Sequence, residues 1–388
     1  MAELLKQRPL GWLQLRHKPL RLLVALAGIA FAVLLILMQL GFRSALFESA
    51  VRIHERLRYD IALFSVESVF IVRPQSFSIR RLYQARGFDE VQSIAPVYLA
   101  PTTWKNPWNN DRRSINVMGF DPQDDVLDTP GFSEGRLLTV KQDTVIFDRR
   151  SRPEFGPVAA HIDEQGQIVT TEVNDREVDV VATFDMGTSF GIDGSIITSD
   201  DNWLRIFPNH PRSEIHIGLI KVRDGADVAD VRDRLRDYLP DDVLVMTRED
   251  FVERETAYWD SATPIGYVFF FGAIMGLVVG AIIVYQILFA DVSEHFHEYA
   301  TLRAIGYSNR FVSGIVLQQA VILALLGYVP GVLVANWLYG SAAEATNLPI
   351  YLTERRFIIV LIMTLAMCSI SALLAVRKLH RLDPADVF

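Results

Sequence analysis

The chain reads as a membrane protein: four transmembrane α-helices with a large α+β extracytoplasmic domain inserted between helices 1 and 2. Three observations predict this class. Half of the 388 residues are hydrophobic and the mean hydropathy is positive, the balance of a membrane protein carrying one sizeable soluble region. Four apolar runs, 22–42, 263–290, 312–339 and 357–376, are each long enough to cross a hydrocarbon layer of roughly 30 Å as a helix. Between the first two runs lie roughly 220 residues of mixed strand and helix pattern, enough to bury a core without covalent staples.

Residues 1–21 are basic, with Lys6, Arg8, Arg16, Lys18 and Arg21 against Glu3, and Leu10, Trp12, Leu13 and Leu15 interleaved. That pattern predicts a cytoplasmic amphipathic segment whose cations face anionic lipid headgroups. The run 22–42 is longer than the apolar core of a signal peptide, so it reads as an uncleaved span. Its basic flank places the N-terminus in the cytoplasm. Leu46, Ala50, Ile53 and Leu57 carry a helical pattern beyond the bilayer as a stalk, partnered by the stretch Glu249–Ser261 with Phe251, Val252, Tyr258 and Trp259. Within the insert, 43–262, the runs 115–120, 144–147, 178–184 and 215–222 read as strands bounded by Gly, Pro, Asp and Asn. Residues 228–239 read as an amphipathic helix, and the whole as an α+β domain of one or two lobes. Of the formal net charge of −8, the insert carries a surplus of roughly a dozen acidic residues, which argues against a nucleic-acid surface. The single cysteine, Cys368, lies in the fourth apolar run and excludes an intrachain disulfide.

Pro264 suits the start of the second span. Gly272, Gly276 and Gly280 recur at every fourth position, a small-residue stripe that lets another helix approach closely. We read this stripe as part of a homodimer contact, against the plainer reading of glycine enrichment in membrane helices. Gly327, Pro330 and Gly331 predict a kink in the third span. A short loop, 340–356, precedes the fourth span, where Ser369, Ser371 and Ala372 offer packing positions. The tail 377–388 opens with Arg377, Lys378, His380 and Arg381, a cytoplasmic signature. Both termini therefore fall on one side. Arg355 and Arg356, in the loop assigned to the other side, run against this and are partly offset by Glu344 and Glu354.

The polar loop 291–311, DVSEHFHEYATLRAIGYSNRF, separates the second and third spans. Residues 298–305 are good helix formers, with Tyr299, Leu302 and Ile305 spaced by three along one face. Arg303 suits a helix C-terminus, Gly306 can end the helix in the left-handed region, and Ser308 suits the N-cap of the next helix. Spacing leaves two readings open: a connector lying on the lipid surface, or a peg that docks into a cytosolic partner. Signatures of catalysis are missing. There is no GxxxxGK[ST] phosphate loop, and His295, His297 and Glu298 lack the HExxH spacing of a zinc site. Histidines two apart on a helix point to different faces. Asp121, Asp124, Asp125, Asp128, Asp200 and Asp201 do not keep the calcium-loop register and read as turn and cap residues. No ionisable residue sits mid-span, so the spans suit transmission of movement better than conduction of a solute.

Several ordered motifs resemble the FtsX/MacB superfamily of ABC transporter permeases, best over about 265–388. The superfamily's loop motif falls on Glu298, Leu302, Arg303, Ala304, Ile305 and Gly306, and its closing motif on Leu382, Pro384 and Val387. Its N-terminal pattern falls on Trp12, Lys18, Leu20, Arg21 and Gly28. Within the superfamily, VMGFDP at 117–122 and FDRRSRPEFGP at 147–157 look like the DevC permease of cyanobacterial DevBCA-type exporters. The resemblance implies a MacB-like fold, a homodimer in the bacterial inner membrane with residues 43–262 periplasmic, and a cytosolic ABC ATPase dimer that binds the ATP and Mg, leaving this chain without cofactor or catalytic residues. It implies that residues 298–306, Tyr299 included, couple to that ATPase. A membrane-fusion adaptor, an outer-membrane TolC-like channel and a lipid, glycolipid or other amphiphile as cargo complete the expectation. An FtsX-like regulator of a periplasmic cell-wall hydrolase is the competing expectation. One departure stands out: the superfamily often carries Arg or Lys before the loop Glu, where this chain has Glu294, His295 and His297.

Overall fold

The computed structural model describes residues 10–262 and 264–379; Lys6, Arg8, His380, Arg381, Leu382, Pro384 and Val387 lie outside them. In chain order the elements are α1 (Leu10–His17), α2 (Pro19–Arg56), β1 (Ile61–Ser65), β2 (Phe77–Ser78), α3 (Arg80–Ala85), β3 (Val91–Lys105), β4 (Arg112–Phe120), α4 (Phe132–Gly135) and β5 (Thr144–Asp148). Then come α5 (Val158–Asp163), β6 (Val169–Val173), β7 (Arg176–Phe184), β8 (Ser195–Ser199), α6 (Asp200–Ile206), β9 (Glu214–Ile215), β10 (Ile217–Val222), α7 (Val228–Tyr238) and β11 (Val243–Thr247). The chain closes with α8 (Arg248–Ala257), a π-helical turn (Tyr258–Ala262), α9 (Pro264–Glu294), α10 (Phe296–Ala304), α11 (Asn309–Thr346) and α12 (Glu354–Leu379). Two compact units result: a membrane unit (1–44, 265–343 and 350–388) and an inserted domain (45–264 and 344–349). Helices α2, α9, α11 and α12 are long and apolar enough to cross a membrane.

In the membrane unit α9 runs antiparallel to α2, since partner numbers fall on one helix as they rise on the other. Gly28 meets Ile283, Ala32 meets Gly280, Ile36 meets Gly276, and Phe42 stacks on Phe269 with ring centroids 5.9 Å apart. A Cβ added at Gly280 would lie 2.6 Å from the Ala32 Cβ and 2.6 Å from the Met367 Sδ; one at Gly276 would lie 3.1 Å from Ile36 Cγ1. At Gly272 it would run into the Gln39 side chain. This corrects the homodimer reading of the stripe. The space that Gly272, Gly276 and Gly280 open is filled by α2 and, at Gly280, also by Met367 of α12 in the same chain, so these positions serve packing within one protomer. Helix α11 follows α2 in parallel, with Gly327 against Ile29, Gly331 against Val33, and the Tyr339 hydroxyl donating to the Leu37 carbonyl. Helix α11 also ends at Thr346, beyond the apolar run. Residues 341–346 are polar yet rich in helix-forming Ala and Glu, so hydropathy stops before the helix does.

The inserted domain is organised by one long strand. A nine-stranded sheet runs β11-β1-β10-β3-β4-β8-β5-β7-β6, and β6 returns to pair with β3 as well. The first half of β3 pairs with β10 through Val91–Val97; the second half pairs with β4 from Tyr98 to Lys105, and its last two residues also meet β6. Two lobes therefore share β3: an open sheet on one side and a closed ring of strands on the other. Pro96 and Pro101 sit where β3 has a single neighbour, so their missing N–H groups break no second ladder. Alternating residues of one strand enter separate cores. Leu63, Val117 and Phe147 join Trp104 and Trp203 in one; Phe64, Met118 and Ile146 join Leu99 and Phe251 in the other. Strands β1, β5 and β8 are buried along their whole length, so none of them shows the apolar–polar alternation of a half-buried strand.

Candidate functional site

Helix α10 stands between two spans and is set off from α9 by His295 alone. Its end is a Schellman-type stop: Gly306 has φ +106° and the Tyr307 N–H donates to the Leu302 carbonyl at 3.1 Å. Ser308 precedes α11 and its carbonyl accepts from the Phe311 N–H at 2.9 Å. The apolar residues of α10 do not form one stripe, which corrects the single-face expectation. Tyr299 is 2% exposed, Leu302 is half-buried and Ile305 is 71% exposed. A helix turns about 100° per residue, so a strict three-residue spacing drifts by about 60° at each step. Tyr299 thus roots the helix in its own chain, while Ile305 and Tyr307 are presented outward with the exposed Glu298. Tyr307 stacks on Phe311 with centroids 4.6 Å apart. The side chains of Arg303 and Ala304 lie outside the described residues.

Beneath α10 lies a polar base. Asp291, 5% exposed at the end of α9, accepts from Gln319 Nε2 of α11 at 3.0 Å and faces Arg21 of α2 at 3.9 Å. Arg21 also pairs with Glu294 at 2.7 Å, and Lys18 pairs with Glu294. The His295 Nδ1 lies 3.7 Å from the Asp291 carboxylate. Carboxylates at a helix C-terminus and cations at a helix N-terminus are each unfavourable alone. Here the two misplacements meet and cancel. The exposed pairs contribute about 1 kcal/mol or less, whereas stripping the partners from buried Asp291 costs about 3–5 kcal/mol.

In the inserted domain, Arg248 opens α8 and closes the stalk end of α2. Its guanidinium donates to the carbonyls of His54 (3.2 Å), Leu57 (2.6 Å) and Tyr59 (3.0 Å) and lies 4.8 Å from the centre of the Tyr59 ring. A cation thereby meets the carbonyls with which a helix ends. Phe251 of the same α8 packs on His54 with centroids 4.3 Å apart. A capping box, Thr247 with Asp250, starts α8. Near its other end Glu255 is 1% exposed, and its carboxylate accepts from the Ile71 N–H and the Trp259 Nε1–H, both at 3.1 Å. Burial raises its pKa to about 7, against the lowering effect of those two donors. Phe70 stacks on Tyr258 at 4.7 Å, so segment 70–71 is clamped to the π-helical turn that leads to α9.

The structure gathers Glu298–Gly306 at one loop and adds a base beneath them that the sequence did not join to it: Asp291, Glu294, Gln319, Arg21 and Lys18. Lys18 and Arg21, expected at lipid headgroups, face carboxylates. His295 turns to Asp291 while His297 is exposed; no group of three metal-ligating side chains occurs among the described residues. Arg356, which ran against the topology, is 8% exposed and donates to the Tyr351 carbonyl at 2.7 Å. It is a folded-in residue rather than a headgroup cation.

Two family profiles match. The MacB-like periplasmic core domain covers residues 22–238, and the FtsX-like permease C-terminal covers 270–384. Among solved structures, the periplasmic region of MacB from Actinobacillus actinomycetemcomitans is similar at 13% identity, over 52% of this chain and 94% of that one, with a TM-score of 0.33. The extracellular domain of the noncanonic ABC-type transporter YknZ from Gram-positive bacteria is similar at 14% identity, over 48% and 98%, with a TM-score of 0.32. No curated protein matches the chain.

Proposed function

Because the chain belongs to the FtsX/MacB superfamily of ABC transporter permeases, we propose that it is an exporter permease that passes movement, rather than a solute, through its spans. The observation that carries this reading is α10: a rooted helix with a fixed stop and an outward apolar tip, Ile305, next to Glu298. In this reading α10 docks in a groove of a cytosolic ABC ATPase dimer, which binds the ATP and Mg. Two copies of the chain sit in the bacterial inner membrane with both termini cytoplasmic and the insert periplasmic. Closure of the ATPase moves α10, and the continuous helix α2 with the α8–α9 segment carries that movement to the inserted domain. There a membrane-fusion adaptor and a TolC-like outer-membrane channel take a lipid, glycolipid or other amphiphile onward. The runs at 117–122 and 147–157 support a DevC-type system.

Ile305→Asp tests the reading. Its side chain is exposed, so the permease itself should fold, whereas a carboxylate forced unpaired into an apolar groove costs a few kcal/mol. Copurification of the ATPase and permease-stimulated ATP hydrolysis should both fall at least tenfold. A connector that merely lies on lipid predicts unchanged recruitment and stimulation, and that result would refute the coupling role.

A further inference from the structure

A groove of about 680 Å³ opens along the outer face of α9 and α12, on the halves nearest α10 and the C-terminus. Val278, Ile282, Ile370 and Leu374 give it an apolar floor, all of them between 43% and 57% exposed. Tyr285 and Arg377 stand at one end. The Ser371 hydroxyl, which also lines it, is committed to the Ala281 carbonyl at 2.9 Å and closes the floor. The lining contains one cation and no carboxylate, and among the described residues none pairs with Arg377. The volume falls in the range of sites that hold a small organic molecule.

We propose that this groove binds one anionic phospholipid, with an acyl chain along Val278, Ile282, Ile370 and Leu374 and the headgroup phosphate on Arg377. The chemistry of the two ends sets the ligand class. An apolar trough within a membrane-spanning helix pair takes hydrocarbon, and a guanidinium at its mouth takes a phosphate bidentately. The Tyr285 ring, amphipathic and half-buried at the same level, suits the boundary between chain and headgroup. A second copy of the chain is the competing occupant and fits less well. A two-fold contact presents the same patch from both sides, bringing a second Arg377 and still no carboxylate. The proposal stands apart from the docking role of α10 and does not depend on it.

The full-length chain in phosphatidylcholine vesicles provides the test, with Tyr285→Trp as a fluorescent reporter read as the difference from wild type. Dibrominated phosphatidylglycerol and dibrominated phosphatidylcholine are supplied at equal mole fraction. Phosphatidylglycerol should quench the reporter with about fivefold greater occupancy, the effect of one cation near the surface. Adding Arg377→Gln should bring the two lipids to equality. Native mass spectrometry of the chain without the reporter gives an independent count, in which wild type should retain phosphatidylglycerol and R377Q should lose it. Equal quenching by both lipids, or a preference that survives Arg377→Gln, overturns the proposal. So does efficient disulfide crosslinking between copies carrying Ile370→Cys, which would hand the groove to a second protomer.

Discussion

Replacing Glu255 by Gln removes a charge from the interior of the inserted domain while keeping an acceptor for one of its two donors. The wild-type carboxyl is held at about 7 by burial, against about 4.5 for the same group in an unfolded chain. A carboxyl raised in the folded state is protonated in both states below pH 4.5 and costs nothing there. As pH rises from 4.5 through 7 the folded state holds the extra proton, and stability falls. Above pH 7 the loss levels off at about 3 kcal/mol, from roughly two and a half pH units at about 1.4 kcal/mol each. Glu255→Gln should abolish that slope. It gives up one hydrogen bond of about 1 kcal/mol, so the variant should be more stable than wild type by about 2 kcal/mol at pH 8 and slightly less stable at pH 4.5. Amide hydrogen exchange at Ile71, whose N–H donates to this carboxylate, reads the clamp directly in the full-length protein. After correction for intrinsic exchange, protection should decline with pH in wild type and stay level in the variant. Parallel pH profiles for the two proteins would refute the assignment of a buried, neutral-range carboxyl.

Two further outcomes follow from packing and capping. Alanine substitutions along the glycine stripe should be ranked, with Gly280→Ala worst, at about 2–3 kcal/mol, because Ala32 and Met367 both crowd the added methyl. Gly276→Ala should be intermediate and Gly272→Ala mild, since there only the flexible end of Gln39 must move; thermal unfolding in detergent reads the order, and equal effects would sink the packing account. Arg248→Ala should destabilise the inserted domain by about 3 kcal/mol by leaving three carbonyls without their shared donor. Arg248→Lys should recover less than half, because an ammonium lacks the planar fork that reaches all three; full rescue by Lys would show that charge alone suffices.

What the sequence made legible follows from what periodicity and turn chemistry can report. The runs 115–120, 144–147, 178–184 and 215–222 fall on β4, β5, β7 and the β9–β10 segment, and 228–239 on α7, since turn residues bracket each of them. Strands β1, β8 and β11 are hidden because each is only five residues long and, buried on both faces or nearly so, shows no apolar–polar alternation. Strand β3 was not legible in the sequence at all, since Pro96 and Pro101 interrupt its run. At the loop, Gly306 was legible because few residues tolerate its backbone angle. The polar base was not, because Arg21 and Glu294 meet across 273 positions of sequence. The glycine stripe announced that some helix comes close, but spacing on one helix cannot name its partner.

The shared strand β3 has a consequence for how the inserted domain can be taken apart. Where the chain first passes from one lobe to the other no loop intervenes; the seam there is a hydrogen-bonded strand whose halves serve different neighbours. A break at that seam strips partners from β10 and β4 together, so opening of one lobe draws the other with it, and the domain should melt as a single cooperative piece. The same seam bears on inheritance. Lobes of different origin cannot be spliced at linkers alone: the return from α6 to β9 crosses a loop, but the outward crossing, within β3, is a run of ladder rungs.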